Sequence, residues 1–337
     1  MDTLTHIALG ACIGEVVAKK HLGKKGPIFG GIAQLIPDVD FIFGLWMTPA
    51  ANALAHRGFT HSLLFCLLAT LAVAGIFRRT WKDKSLTFGF WLTTFGIQIF
   101  VHILLDAFNA YGTGWFEPFS HYRVSFNTLF VADPFFSVPL GVACILLILF
   151  KTESTKRYAV AVIGIGYCLF YLIYGIANKF TIESDVKRAF SQQQIPHEKY
   201  FTTPTPFNNW LWYIVSTNEE GSYVGYRSVF DETQHVDFQF FPKNDSLLEG
   251  VRNDREVVLL RRLSQGHYTV ELNGDTLIFN DLRFGQMIGW QNPKAGFVFH
   301  YFLYPPLDNT LVLQRGRFAN WDVAATEALL SRIKGIK

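Results

Sequence analysis

Seven residues in the first third of the chain carry side chains that bind metals or move protons: His6, Asp38, Asp40, His56, His61, His102 and Asp106. Neutral imidazole and carboxylate together form the usual ligand set of Zn²⁺ and related divalent transition metals. His102 and Asp106 are spaced i, i+4, so on a helix they share one face. They could be two ligands of one ion, or a ligand and the carboxylate that orients it. The plain alternative is a His–Asp hydrogen bond closing a helix bundle. Asp38 and Asp40 follow Pro37, which ends the preceding apolar run. In an extended segment residues i and i+2 point the same way. Such a pair could bridge metals, or one carboxylate could bind while the other acts as general base, for which Asp40 is the choice. A helix-ending turn is the alternative, since Pro and Asp are common there. His56 and His61 flank Arg57 and Gly58. Arg57 could grip a phosphate through its fork of donors, or a lipid headgroup at a membrane surface. His6 precedes Gly10 and Gly14, a smooth helix face that could equally serve close helix packing.

The elements that must carry these residues are apolar. Residues 1–179 hold 14 Lys/Arg and 9 Asp/Glu, and residues 180–337 hold 16 and 18. The first part is therefore charge-poor and the second resembles an ordinary soluble domain. A transmembrane helix needs about 20 mostly apolar residues. Ser62–Phe77, Leu86–Leu105, Pro134–Phe150 and Tyr158–Ala177 meet or approach this, and Leu4–Ala18 and Pro27–Ile36 are weaker, Gly-rich runs. Those two could span, or form half-helices around a site. The segments 19–25, 78–85 and 151–157 together hold 11 of the 14 basic residues of this part. If all six runs cross, the basic segments share one side, which the positive-inside rule makes cytoplasmic. The expected architecture is thus an α-helical membrane bundle of about six helices (1–179) followed by a β-rich α+β domain (180–337). The expected place is a cell membrane, multi-pass, with the N-terminus and the second domain extracytoplasmic. On that topology all seven residues fall on the extracytoplasmic side at one depth, with Glu117, His121 and Asp133 in an adjoining loop. Ionisable groups at membrane depth are costly and mark functional sites or paired interiors. His21 lies in a basic segment and is excluded.

In the second domain, Val224–Phe230, Val236–Phe241, Val257–Leu263, Tyr268–Phe279, Phe297–Tyr304 and Thr310–Phe318 read as strands, with a hairpin turn at Asn273-Gly274-Asp275. Asn320 would cap a last helix over Trp321–Lys334. Ser191–Asn209 reads as an irregular linker. His197, His235, His267 and His300 are widely spaced and carry no pattern. Cys12, Cys66, Cys144 and Cys168 lie in apolar runs without C-x-x-C spacing, as buried apolar side chains do. No signal peptide is expected. A net charge of +3, dispersed along the chain, does not suggest nucleic acid.

Four motifs occur in order: Met1-Asp2-Thr3-Leu4-Thr5-His6 with Gly10, Pro37-Asp38-Val39-Asp40, His56-Arg57-Gly58-Phe59-Thr60-His61-Ser62, and His102 to Asp106 followed by Tyr111-Gly112-Thr113. Over roughly residues 1–135 the chain resembles the bacterial and archaeal membrane-bound metal-dependent hydrolases, some known as LexA-regulated inner-membrane hydrolases. That family is thought to be distantly similar to zinc phospholipase C and its related single-strand nucleases. The resemblance implies hydrolysis of an ester or phosphoester by metal-activated water. It also implies one or two divalent ions, zinc foremost, and a membrane lipid or lipid-linked substrate. The seven residues form the ligand pool, and Arg57, Tyr111 and Thr113 are candidate substrate contacts. The rival readings are a metal-handling transporter, which would place polar groups at several depths, and a non-catalytic anchor for the second domain.

Overall fold

The computed structural model describes residues 1–304 and 321–336, and the chain divides into two compact units. The first comprises Met1–Leu45 and Ala55–Gly175, the second Trp46–Leu54 and Ile176–Lys337.

In the first unit α1 (Thr3–Leu22) starts at Asp2, whose side chain accepts from the Thr5 amide. It packs on α2 (Lys25–Ala33), followed by a 3₁₀ segment, Pro37–Leu45. A 3₁₀ turn at Phe59–His61 leads into α4 (Leu63–Thr80), capped by Ser62. The remaining helices are α5 (Phe88–Asp106), α6 (Pro134–Leu149) and α7 (Thr155–Gln192). Leu9, Cys12 and Ile13 of α1 form a core with Leu140 and Leu147 of α6 and Cys168 and Tyr171 of α7. All four cysteines are free.

The helices do not support six crossings. Among the described residues three (α4, α5 and α7) are long and apolar enough to span a membrane, and a fourth span results if α2 and the Pro37–Leu45 segment count as one. That pair is bent by 51°, because Pro37 cannot extend the α2 hydrogen-bond ladder. It is the half-helix alternative. α6 has only 16 residues. α1 has 20 but carries Glu15, Lys19 and Lys20, and most of its face is turned to protein. By contrast α4 buries only Thr70 and Ala74, as a helix facing lipid does.

The smooth face beneath His6 serves helix packing. Gly10 and Gly14 meet Gly30 and Gly26 of α2, and a Cβ at any of the four would enter the opposing backbone. Gly30→Val should therefore destabilise the unit by at least about 3 kcal/mol. Gly75→Ala, where a Cβ meets nothing within 4 Å, should cost nothing. Thermal unfolding in detergent separates the two.

The second unit contains an antiparallel sheet in the order β1 (Tyr200–Pro204), β2 (Leu211–Thr217), β3 (Gly221–Ser228), β4 (Phe238–Pro242), and a second of β5 (Tyr268–Asn273), β6 (Thr276–Gln286), β7 (Phe297–Tyr304). Ile182, Val186 and Phe190 of α7 pack on Trp212 and Ile214 of β2. The hairpin joining β5 and β6 turns at Gly274, with φ +58°. Val257–Leu263 is a helix rather than a strand: α8 (Arg255–Leu263) buries Val257, Leu260 and Leu263 at a spacing of three. The linker expected at Ser191–Asn209 holds β1. β2 is buried along its whole length, so it lacks the alternation that marks a half-exposed strand. The helix α3 (Pro49–Ala55) places Ala50 in one core with Val257 and Leu260. The last helix, α9 (Val323–Ile333), is capped by Asp322, which accepts from Ala325 N. The expected strand Thr310–Phe318 and the cap Asn320 lie outside the described residues.

Candidate metal centre

Four of the seven residues converge. Asp38, His61, His102 and Asp106 each offer one ligand atom, all within 4.8 Å of one another. His61 Nε2 and His102 Nε2 are 3.2 Å apart. His61 Nε2 lies 3.5 Å from Asp38 Oδ1 and 3.3 Å from Asp106 Oδ2. His102 Nε2 lies 3.5 Å and 3.6 Å from the same two oxygens. A tetrahedron with metal–ligand bonds near 2.0–2.1 Å has edges of about 3.3–3.4 Å, which these five separations approach; the sixth, between the two carboxylates, is within 4.8 Å. Asp106 Oδ2 is buried and makes no hydrogen bond; it faces two imidazoles and lies 3.1 Å from Arg57 Nε. The donor set fits a divalent transition metal.

Each ligand is positioned by its element. His102 and Asp106 sit one turn apart on α5. His61 ends the Phe59–His61 turn, held by a loop: Gly114 N donates to Arg57 O at 2.8 Å, Arg123 Nη2 to His56 O at 2.6 Å, and Leu63 N to Trp115 O at 3.0 Å. Asp38 and Asp40 are not in an extended segment. The 3₁₀ winding after Pro37 turns side chains two apart away from each other. Asp38 enters the cluster, and Asp40 goes behind it. Asp40 Oδ2 accepts from Arg57 N at 2.9 Å and Thr60 Oγ1 at 3.1 Å, and lies 3.5 Å from His61 Nδ1. Its other oxygen pairs with His56 Nδ1 at 3.2 Å. Thr60 Oγ1, which donates to Asp40, lies 3.1 Å from His61 Nδ1, so Asp40 helps to orient His61 chiefly through Thr60, the kind of role a carboxylate plays behind a metal-binding imidazole. His56, with 41% of its side chain exposed, stands outside the four.

His6 is also one step removed. Its ring stacks on His102 at 3.8 Å, its Nε2 lies 3.2 Å from Asp106 Oδ1, and its Nδ1 lies 3.3 Å from Gln34 Oε1. The direction of this chain is set further down. Gln98 Nε2 donates to the Gly10 carbonyl, so Gln98 Oε1 accepts from Gln34 Nε2, and Gln34 Oε1 is left facing His6. His6 thus faces an oxygen at each ring nitrogen. The Met1 α-amino group also reaches Asp106 Oδ1.

Arg57 points inward. It is 4% exposed, its Nε lies 3.1 Å from Asp106 Oδ2, its Nη1 donates to Asn109 at 2.7 Å, and its guanidinium covers Tyr111. Its backbone is left-handed, φ +58°, a strained conformation held by Asp40 and Gly114. Thr113 is fully buried and bridges Val124 through its backbone. Tyr111 and Thr113 therefore build the loop around the cluster. Asp133 caps α6 and accepts from Tyr171 at 2.9 Å, and His121 pairs with Glu117 in an exposed turn. Burial opposes charge on His61, but Asp106 and Asp38 outweigh it and raise its pKa, the response of an imidazole facing carboxylates. Gln34, Asn109 and Thr60 are site residues that spacing did not reveal. Gln34 and Gln98, amides within apolar runs, were the available signal. In the second unit His267 is buried, bonded to Thr217 at 2.8 Å, and its pKa is pushed down to about 3, chiefly by burial; it is a neutral core residue.

The model of a family described as YdjM inner membrane protein matches residues 1–180, more than half of the chain. The chain belongs to the YdjM inner membrane protein family. It is 31% identical over 122 residues to the inner membrane protein YbcI of Escherichia coli (strain K12), covering 36% of this chain and 69% of that protein. It is 25% identical over 233 residues to the uncharacterized protein YfhP of Bacillus subtilis (strain 168), covering 67% of this chain and 68% of YfhP. The matched family region contains every residue of the cluster. No solved structure matches the chain.

Proposed function

We propose that the first unit is a metal-dependent hydrolase acting on an ester or phosphoester, with a lipid or lipid-linked molecule as substrate. The observation that carries this reading is the convergence of Asp38, His61, His102 and Asp106, whose ligand atoms all lie within 4.8 Å of one another and in five pairs at 3.2–3.6 Å. Imidazole and carboxylate donors favour Zn²⁺. Such an ion lowers the pKa of water and polarises an ester oxygen. Four protein ligands would close the tetrahedron, whereas hydrolytic zinc sites keep one position open. Asp38 is the ligand suited to give way. Its side chain is 25% exposed while the other three are buried, and it sits on a 3₁₀ segment at a bend. Once displaced, its carboxylate lies beside the cluster and can take a proton from an attacking water. His61, His102 and Asp106 would hold the ion, and Asp40, His6 and Arg57 would fix their orientation. Phe41, Leu45 and Phe59, on the segments that carry Asp38 and His61, are exposed, apolar surface that favours a substrate reached from the bilayer.

The closed count of four also favours a second reading, a structural ion in a non-catalytic anchor. Purified protein assayed on chromogenic carboxyl esters and phosphodiesters distinguishes them. The hydrolase reading expects turnover lost to chelator, restored by Zn²⁺, and reduced at least 100-fold in Asp38→Asn. Chelator-insensitive turnover, or none on either class with metal bound, would sink it. We further place the second unit outside the cytoplasm: Lys19 meets Ser154, so the basic segments 19–25 and 151–157 share a side, which the positive-inside rule makes cytoplasmic, and α7 is long and apolar enough to cross from there. A Gly250→Cys residue, at an exposed position where a Cβ meets nothing, should label with an impermeant thiol reagent in intact cells. Labelling only after lysis reverses the orientation.

A further inference from the structure

An apolar groove of about 440 Å³ lies between α1, α2 and α6, and none of the four cluster residues lines it. Ile7 and Ala11 form its floor and Ile28, Ile32 and Ile148 its walls. It follows α2 from Lys24 to Leu35, about 17 Å at 1.5 Å per residue. That is roughly half of the ~30 Å hydrocarbon core of a bilayer, the depth of one leaflet.

One end of the groove is basic. Arg157 lines it but is consumed by Glu15, to which Nε and Nη2 donate at 3.0 and 2.6 Å. Lys24 is exposed, and no carboxylate pairs with it among the described residues. Lys24 stands at the start of α2, where no side chain caps the first amides, so the helix end adds positive potential. Lys19 Nζ donates to Ser154 O at 3.1 Å, which draws the 151–157 segment, with exposed Lys151 and Lys156, beside the 19–25 segment. Glu153 is the sole acid of these two segments.

We propose that this groove binds an anionic phospholipid, one acyl chain along α2 and the phosphate at Lys24. An acyl chain matches the lining and the depth, and a net negative headgroup matches the basic end better than a zwitterionic one, since each Lys near an anionic lipid surface contributes on the order of fivefold in binding. The site is independent of the metal reading.

The test is native mass spectrometry of the full chain in detergent, with phosphatidylglycerol or phosphatidylcholine of identical acyl chains added. Wild type should retain phosphatidylglycerol about tenfold more than phosphatidylcholine. Lys24→Gln should reduce that preference about fivefold and leave phosphatidylcholine retention unchanged. Ile28→Trp with Ile32→Trp, at positions 58% and 57% exposed, should fill the groove and abolish retention of both lipids while the melting temperature holds. Equal retention of the two lipids by wild type, an unchanged preference in Lys24→Gln, or full retention by the filled groove each overturns the proposal.

Discussion

Protein purified from zinc-supplemented cells should carry about one divalent transition metal per chain, and His61→Ala and His102→Ala should each reduce this to trace. The expectation is one ion because the described residues gather a single four-atom group, with His6 and His56 a layer further out. The two imidazoles are the ligands whose loss should be felt most. Their Nε2 atoms approach to 3.2 Å, so removing either opens an edge that no neighbour can fill. The orienting residues should give a graded answer. Asp40→Asn keeps all four ligands but weakens the hold on His61 Nδ1, and should lower metal affinity about 10- to 100-fold. His56→Ala, partly exposed and bonded to Asp40 alone, should do less. Elemental analysis and competition with a metal indicator read these values. Wild type without stoichiometric metal would remove the basis of the hydrolase reading. A His61→Ala, His102→Ala double variant that keeps its metal would move the site elsewhere.

Arg157→Met should destabilise the first unit by about 3–5 kcal/mol, as breaking a buried ion pair from one side does. Arg157 and Glu15 are 2% and 0% exposed and meet at 2.6 Å. The guanidinium also donates to Phe150 O at 3.2 Å and to Leu147 O, so it closes the C-terminal end of α6 while tying α1 to α7. Its loss strands a buried carboxylate and frees those carbonyls. Lys19 reaches Glu15 at 3.1 Å but is 23% exposed and shared with Ser154, so it compensates weakly. Glu15→Leu in the Arg157→Met background should recover much of the loss, because a well-packed apolar pair avoids the desolvation both charges suffer. Unfolding followed in detergent would show both effects. A loss below about 1 kcal/mol in Arg157→Met means water reaches the pair.

The same residue shows where sequence patterning stops. Positive-inside counting takes Arg157 as one more cytoplasmic charge, and nothing in a one-dimensional count shows that Glu15 reaches it. The i, i+4 spacing of His102 and Asp106 was legible because a helix fixes which side chains share a face. The Asp38–Asp40 pair was legible as chemistry but not as geometry, since the winding after Pro37 decides whether carboxylates two apart converge. Gln34 escaped notice because its role depends on Gln98, 64 residues away, and on a helix crossing that only four glycines permit. In the second unit α8 reads as a strand because its apolar residues are β-branched or leucine and Val257–Leu260 is an unbroken apolar run that hides the spacing of three. β2 is equally illegible, a run so apolar that it has no period.

The stretch Trp46–Leu54 belongs to the second unit, although it is threaded between Asp40 and His56. YbcI shares 122 residues that make up 69% of its length, so it has about 180 residues in all, too few to contain both units. YfhP aligns over 67% of this chain, which reaches past residue 180. The two relatives thus differ in length, and a change from one such length to the other would not be a clean cut at a junction. A lineage that gains or sheds the β-rich module must also rewrite nine residues lodged between two motifs, since Ala50 has its place only in that module's interior. The composition of this insert, small and apolar here, should tell long members from short ones wherever the rest of the chain is missing.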